Sequence, residues 1–236
     1  MMPIASRKHF AGFLAIATVV LLLGVLAQHR PVPAEQPGGA PAQLGSHSQA
    51  IPAYLAAVVL DWALLYYCWK GVRRHGGSLG TLSGGRWRSW RAVGADLLVA
   101  LPFWIVWEGA AWGIHRLLGP SLAKSVDALL PQSPLEVILW LLTCLTAGFC
   151  EELVFRGYVQ RQFQAFTGRL AVGVVAQALV FGLGHAYQGW KNTIVICGLG
   201  VLYGLLAAWR RNLRANIVAH AWSDIWEGWL KFLVWK

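Results

Sequence analysis

The residues of this chain that could do chemistry fall into three short groups. The first is Glu151-Glu152-Leu153-Val154-Phe155-Arg156, at the end of the apolar run LEVILWLLTCLTAGF. On a helix, Glu152 and Arg156 are four apart and can pair, while Glu151 is turned by about 100° and is free to point into a bundle. The plainer use of all three is to snorkel to a membrane surface. The second group is Phe181-Gly182-Leu183-Gly184-His185, with Phe181 and His185 on one helix face. A lone intramembrane His also serves as a hydrogen-bonded structural residue. The third is Asn216, His220 and Asp224, spaced i, i+4 and i+8 as one polar stripe on the last helix. An acid four residues from a His can orient the imidazole and raise its basicity. Such a stripe can instead pack against Arg156 or against other helices.

Together the three groups offer carboxylates and two imidazoles on three helices. That set can activate a water and stabilise an oxyanion, or it can bind a divalent metal such as zinc. No HExxH occurs, which excludes the familiar helical zinc-protease arrangement.

The elements that must position these residues are membrane helices. Of 236 residues, 57% are hydrophobic and only 13% charged, too apolar a balance for an ordinary soluble domain. Many of the 14 Trp lie near the ends of apolar runs, as in interfacial aromatic belts. The formal charge of +10 comes mostly from short loops between apolar runs, which indicates orientation in a lipid bilayer and no nucleic-acid partner. Cys68, Cys144, Cys150 and Cys197 lie in apolar runs without CxxC spacing and read as small buried residues.

Seven spans are expected, at roughly 10–27, 51–69, 92–114, 134–153, 170–187, 192–209 and 215–235. The fold class is therefore an all-α integral membrane protein of about seven transmembrane helices. Residues 1–30 form an N-terminal anchor, although VLA before Gln28 is a passable cleavage site for a signal-like segment. Residues 31–50 read as a flexible linker rich in Pro, Gly, Ala, Ser and Gln. Residues 51–133 hold two spans around a loop, 70–91, that carries Lys70, Arg73, Arg74, Arg86, Arg88 and Arg91 and no acid, and is cytoplasmic by the positive-inside rule. Residues 134–236 hold the three chemical groups. Alternate crossings place Arg7, Lys8, Arg156, Arg161, Arg169, Arg210, Arg211 and Arg214 inside and residues 115–133 outside. Asp96 and Glu108 are expected near the two ends of their span, where lining a water path is the other use open to them.

EExxxR, FxxxH and HxxxD in that order on successive helices resemble the motifs of the CAAX-protease and bacteriocin-processing (CPBP) family of intramembrane proteases. Here they are Glu151-Glu152-x-x-x-Arg156, Phe181-x-x-x-His185 and His220-x-x-x-Asp224, and the resemblance covers roughly residues 134–230. It implies an endopeptidase acting on a membrane-associated peptide or protein, in a prokaryotic inner membrane. It further implies that Glu151 activates water with help from His185. His220 and Asp224 stabilise the oxyanion or, in a metal-dependent form, join Glu151 and His185 as ligands. Glu152, Arg156 and Asn216 support the site. Asp224 stands where many members have Asn, and an ionised Asp cannot donate a hydrogen bond to an oxyanion. A proton-coupled transporter or a non-catalytic peptide-binding scaffold would use the same intramembrane groups differently. Neither an inverted repeat nor paired broken helices of the transporter kind are evident.

The span boundaries contain a conflict. Glu151 and His220 fall near the inner ends of their helices, whereas His185 lies about 22 Å along its own. They can meet only if 157–172 is immersed, if the fourth helix runs past Arg156, or if a helix is tilted or broken.

Overall fold

The computed structural model describes residues 2–28, 50–119 and 129–230, without the side chains of residues 27, 28, 229 and 230. The linker up to residue 49, residues 120–128 of the loop 115–133 and the end of the last expected span lie outside the described residues. All regular structure among the described residues is helical. In chain order the helices are α1 (Arg7–Gln28), α2 (Ala50–Arg73), the short α3 (Leu79–Ser83), α4 (Trp90–Leu118), α5 (Pro134–Thr167), α6 (Leu170–Gly184), α7 (Trp190–Arg210) and α8 (Arg214–Ile225). A 3-10 turn, Ala186–Gln188, joins α6 to α7, and α8 continues as a π-helical turn, Trp226–Leu230.

Five of these helices, α1, α2, α4, α5 and α7, are long and apolar enough to cross a membrane. Among the described residues, the helices at the other two expected crossings, α6 and α8, are shorter. α6 has 15 residues and α8 has 12, about 22 and 18 Å against a hydrocarbon core of about 30 Å.

The largest departure from the expected elements is α5. Its expected end near residue 153 is wrong: the helix continues to Thr167 over 34 residues. Ser133 starts it with a capping box to Glu136, and Pro134 occupies its first turn. The stretch Glu152–Gln160 is wound as a π-helix, and all nine of its residues are buried. Nothing in the residue pattern marks this change of winding, because the apolar and polar side chains there are set by packing.

That long helix removes the depth conflict. α5 turns at Gly168, which has φ +71°, and α6 returns alongside it. Glu151 and His185 lie equally far along the chain from this turn, seventeen residues before and after it, so an antiparallel hairpin brings them level. Of the three routes left open by the sequence, it is the fourth helix running past Arg156 that occurs.

Small residues and buried amides close the bundle. A Cβ on Gly148 would come within 2.8 Å of Ala221, so α8 seats directly on α5 there. A Cβ on Gly200 would come within 2.9 Å of the Ala178 backbone, which lets α6 and α7 touch. Gln177 donates to Gly200 O and Gln160 to Gly204 O at 2.6 and 3.0 Å. Cys68, Cys144 and Cys150 are buried free thiols, as expected of small apolar side chains, whereas Cys197 is only half-buried.

α1 is packed into the bundle at its start. Phe10 and Phe13 are buried against Tyr158, with ring centroids 5.9 and 5.7 Å away. The buried Gln162 side chain accepts from the Ile4 and Ala5 N–H groups and donates to Ala5 O. His9 stacks on Tyr67 at 4.2 Å, and Tyr67 Oη donates to His9 O. The first turns of α1 thus meet the last turns of α2, beside the basic loop.

The basic loops gather at one end of the molecule. Asp96 is fully buried and pairs with Arg210 and Arg214 at 2.7 and 2.9 Å, while Trp87 Nε1 donates to it at 2.9 Å. Leu213 N–H donates to Ser83 O. Asp96 therefore lies near one end of its helix, as expected, and ties that end to two loops instead of lining a water path. Glu108 is half-buried farther along α4.

Candidate active site

Adjacent carboxylates at the start of the π-helical stretch straddle one imidazole. Glu152 Oε1 lies 2.8 Å from His220 Nδ1, and Glu151 Oε2 lies 3.5 Å from His220 Nε2. α5 supplies both acids, and α8, seated on Gly148, supplies the ring. Asp224 Oδ2, one turn along α8, faces the same Nε2 at 3.8 Å.

Glu152 is the hub of the buried polar cluster. Its side chain is fully buried, and Oε1 also pairs with Arg156 Nη1 at 2.8 Å. Oε2 accepts from Asn216 Nδ2 at 3.1 Å, and the same amide donates to Tyr203 O at 2.8 Å. A side chain accepting from three donors acts as a carboxylate, so His220 Nδ1 carries the hydrogen that it donates to Glu152. The expected orienting acid, Asp224, does not touch Nδ1; Glu152 holds the ring instead. The Glu152–Arg156 pair expected from their spacing is present, and Asn216 finds Glu152 as its partner. Arg156 is enclosed by aromatic faces, 4.3 Å from the Phe181 centroid and 5.0 Å from that of Tyr203. His220 is held between the same two rings, stacked on Tyr203 at 5.2 Å and edge-on to Phe181 at 5.8 Å.

The second imidazole is that of His185. It caps the end of α6, and its Nδ1 donates to Phe181 O at 2.9 Å. Because a carbonyl only accepts, Nε2 of the neutral ring keeps its lone pair and can receive a proton. The ring lies within electrostatic reach of Asp224. Tyr187, on the turn after His185, is within reach of Glu151 and Asp224. The structure therefore brings Glu151 and Asp224 to Nε2 of His220, with Glu152, Arg156 and Asn216 behind the ring and His185 within electrostatic reach of Asp224.

Three participants were not singled out by the sequence. Tyr203 had no visible signal, since an aromatic residue in an apolar helix is ordinarily packing. Tyr187 lay in a loop without a motif. Asp61 does carry a signal in the sequence, as the sole acid in the 24-residue helix α2. It lies within electrostatic reach of Glu151, His220 and Asp224.

The donor set bears on metal binding. Both imidazoles donate Nδ1–H to an oxygen, an arrangement common in metal-ligating histidines. Yet among the described residues no three His, Cys, Asp or Glu side chains are grouped so as to hold an ion. No catalytic step is assigned to a metal.

Residues 133–226 match the family model described as Rce1-like, type II CAAX prenyl endopeptidase Rce1-like. Every residue of the buried polar cluster except Asp61 lies inside that segment. No curated protein and no solved structure matches the chain.

Proposed function

We propose, from the Rce1-like character of residues 133–226 and the geometry around His220, that this integral membrane protein is an intramembrane endopeptidase. The observation that carries the reading is the pair of adjacent carboxylates on either side of one buried imidazole. A purely structural ion pair needs Glu152 and Arg156 alone. It gives no reason for a second acid, a second imidazole and Asp224 on the other side of the ring.

In this reading Glu151 is the general base. Unlike Glu152 it has no Arg partner, and its carboxylate lies 3.5 Å from Nε2 of His220. A water bound there loses a proton to Glu151 as its oxygen attacks the scissile carbonyl. His185, with its Nε2 lone pair, assists in holding or relaying that proton. His220, fixed through Nδ1 by Glu152, presents Nε2 to the developing oxyanion. With a proton on Nε2 the ring is a donor of fixed direction, backed by a carboxylate that offsets its charge. Asp224 at 3.8 Å favours that protonated ring and takes the place that an Asn donor would occupy. The proton on Glu151 is then delivered to the leaving amine as the C–N bond breaks.

The expected substrate is a peptide whose scissile bond reaches the site from the membrane, of which a prenylated C-terminus is one form. Wild-type protein in liposomes, offered a short peptide ending in a farnesylated CAAX sequence, should cleave it. Failure of the wild type to cleave contradicts the prenyl-peptide form of the reading.

A further inference from the structure

Asp61 is a carboxylate in the middle of an apolar helix that lies outside the matched segment, and the mechanism above does not use it. Its placement follows from the packing of α2 on α5. The Tyr54 ring lies 5.5 Å from Trp140, and the Trp62 ring 5.9 Å from Phe149. Both contacts advance in the same direction, so the helices run parallel with an offset of 86 to 87 residues. Asp61 is therefore level with Ala147 and Gly148, one helical turn from Glu151.

Its face is fixed as well. Tyr54, Leu65, Cys68 and Val72 form the buried stripe of α2, and Asp61 falls on it, seven residues after Tyr54 and four before Leu65. Leu65 and Cys68 pack in one cluster with Cys150, the neighbour of Glu151. The stripe thus carries a half-buried acid where a packing helix would carry an apolar residue. That acid lies within electrostatic reach of Glu151, His220 and Asp224. An ionisable side chain at mid-span, with no ion-pair partner among the described residues, is kept for function by default.

We propose that Asp61 is the second carboxylate of the water site, accepting one hydrogen of the nucleophilic water while Glu151 accepts the other. This deepens the endopeptidase reading and rests on it. Two acceptors fix the two O–H bonds of the water and aim its lone pair away from α2 and α5, toward the carbonyl between His185 and His220. The step balances without a further reactant. The O–H bond toward Glu151 breaks, the C–O bond forms, and Glu151 later returns its proton to the amine nitrogen as the C–N bond breaks. Asp61 gains and loses nothing; it holds the second O–H bond throughout.

The test uses full-length protein in liposomes with the farnesylated CAAX peptide as probe. Asp61→Asn should lower kcat by about 10²-fold or more, in the range typical of losing a group that handles the reacting water. KM should stay within about twofold and the thermal midpoint should be unchanged, since the peptide itself is held elsewhere. Asp61→Glu should keep a carboxylate and recover part of the rate. A folded Asp61→Asn with wild-type kcat overturns the proposal, as does a loss confined to KM. If Asp61→Asn does not fold, Asp61→Glu decides. Its carboxylate is displaced by one methylene, so a kcat reduced tenfold or more at an unchanged midpoint supports the proposal, and an unchanged kcat overturns it. Active wild type, inert Glu151→Gln and fully active Asp61→Asn overturn this proposal alone. An inert wild type contradicts the prenyl-peptide form of the reading on which it rests.

Discussion

Glu152 Oε1 stands 2.8 Å from His220 Nδ1 and also 2.8 Å from Arg156 Nη1, so one buried oxygen joins α5 to the imidazole of α8. Two consequences follow from a shared oxygen. The carboxylate cannot leave without stranding a fully buried guanidinium, and the ring cannot turn without breaking the same contact.

Glu152→Gln should therefore destabilise the protein more than Glu151→Gln does. Losing one partner of a buried pair typically costs about 3–5 kcal/mol, because the other charge is left uncompensated. Glu151 is only half-buried and lacks that cation, so its amide should be tolerated. Thermal unfolding of the two purified variants in detergent checks this; equal midpoints contradict the hub role of Glu152.

Position 224 separates two ways of helping His220. If Asp224 favours a protonated Nε2, Asp224→Asn should lose most activity while the Nδ1 contact to Glu152 keeps the ring in place. If the position serves the oxyanion directly, Asn should retain or raise activity, since its amide donates. Treating the native protein with a chelator supplies the remaining arm: activity lost on chelation and restored by zinc assigns the carboxylates to a metal.

The start of α1 should be part of the mature protein and not a discarded leader. Gln162 pairs with the half-buried Ile4 N–H and with both backbone groups of the buried Ala5. Gln162→Ala leaves these unpaired, at about 1–3 kcal/mol for each buried group. A lowered thermal midpoint is expected, and intact mass of the purified protein should include residues before Gln28. A mass that begins at Gln28, with full activity, contradicts the contribution of α1.

Topology follows from the same charges that gather at one end. The loop 70–91 and the segment 210–214 touch through Asp96 and through Leu213 N–H, so they share a side. A reporter fused after Arg88 should read as cytoplasmic, and an external signal there reverses the orientation of the whole bundle.

Much of the site was legible because its geometry is local. The i, i+4 pairing of Glu152 with Arg156 and the single-face stripe of Asn216, His220 and Asp224 depend only on helix periodicity, which survives in any packing. What was misread depends on packing between helices. The extension of α5 to Thr167 was hidden because a buried Arg156 looks like the end of a span when its partners are unseen. The π winding of Glu152–Gln160 leaves no trace in residue type, although it lies where such segments often mark functional sites. The role of Glu152 toward His220 crosses 68 positions of chain, and no local pattern reports it. Asp61 was legible in principle as a lone acid at mid-span, but only the register of α2 on α5 says which group it meets.

The central claim is that Glu151 activates the water, and one measurement bears on it most directly. Wild type and Glu151→Gln are reconstituted in liposomes with the farnesylated CAAX peptide, and cleavage is followed alongside thermal unfolding. General-base contributions of about 10²–10⁴ predict that Glu151→Gln folds with an unchanged midpoint and cleaves at least about 100-fold more slowly. A folded Glu151→Gln that cleaves at the wild-type rate contradicts the account, because its amide cannot take a proton from water.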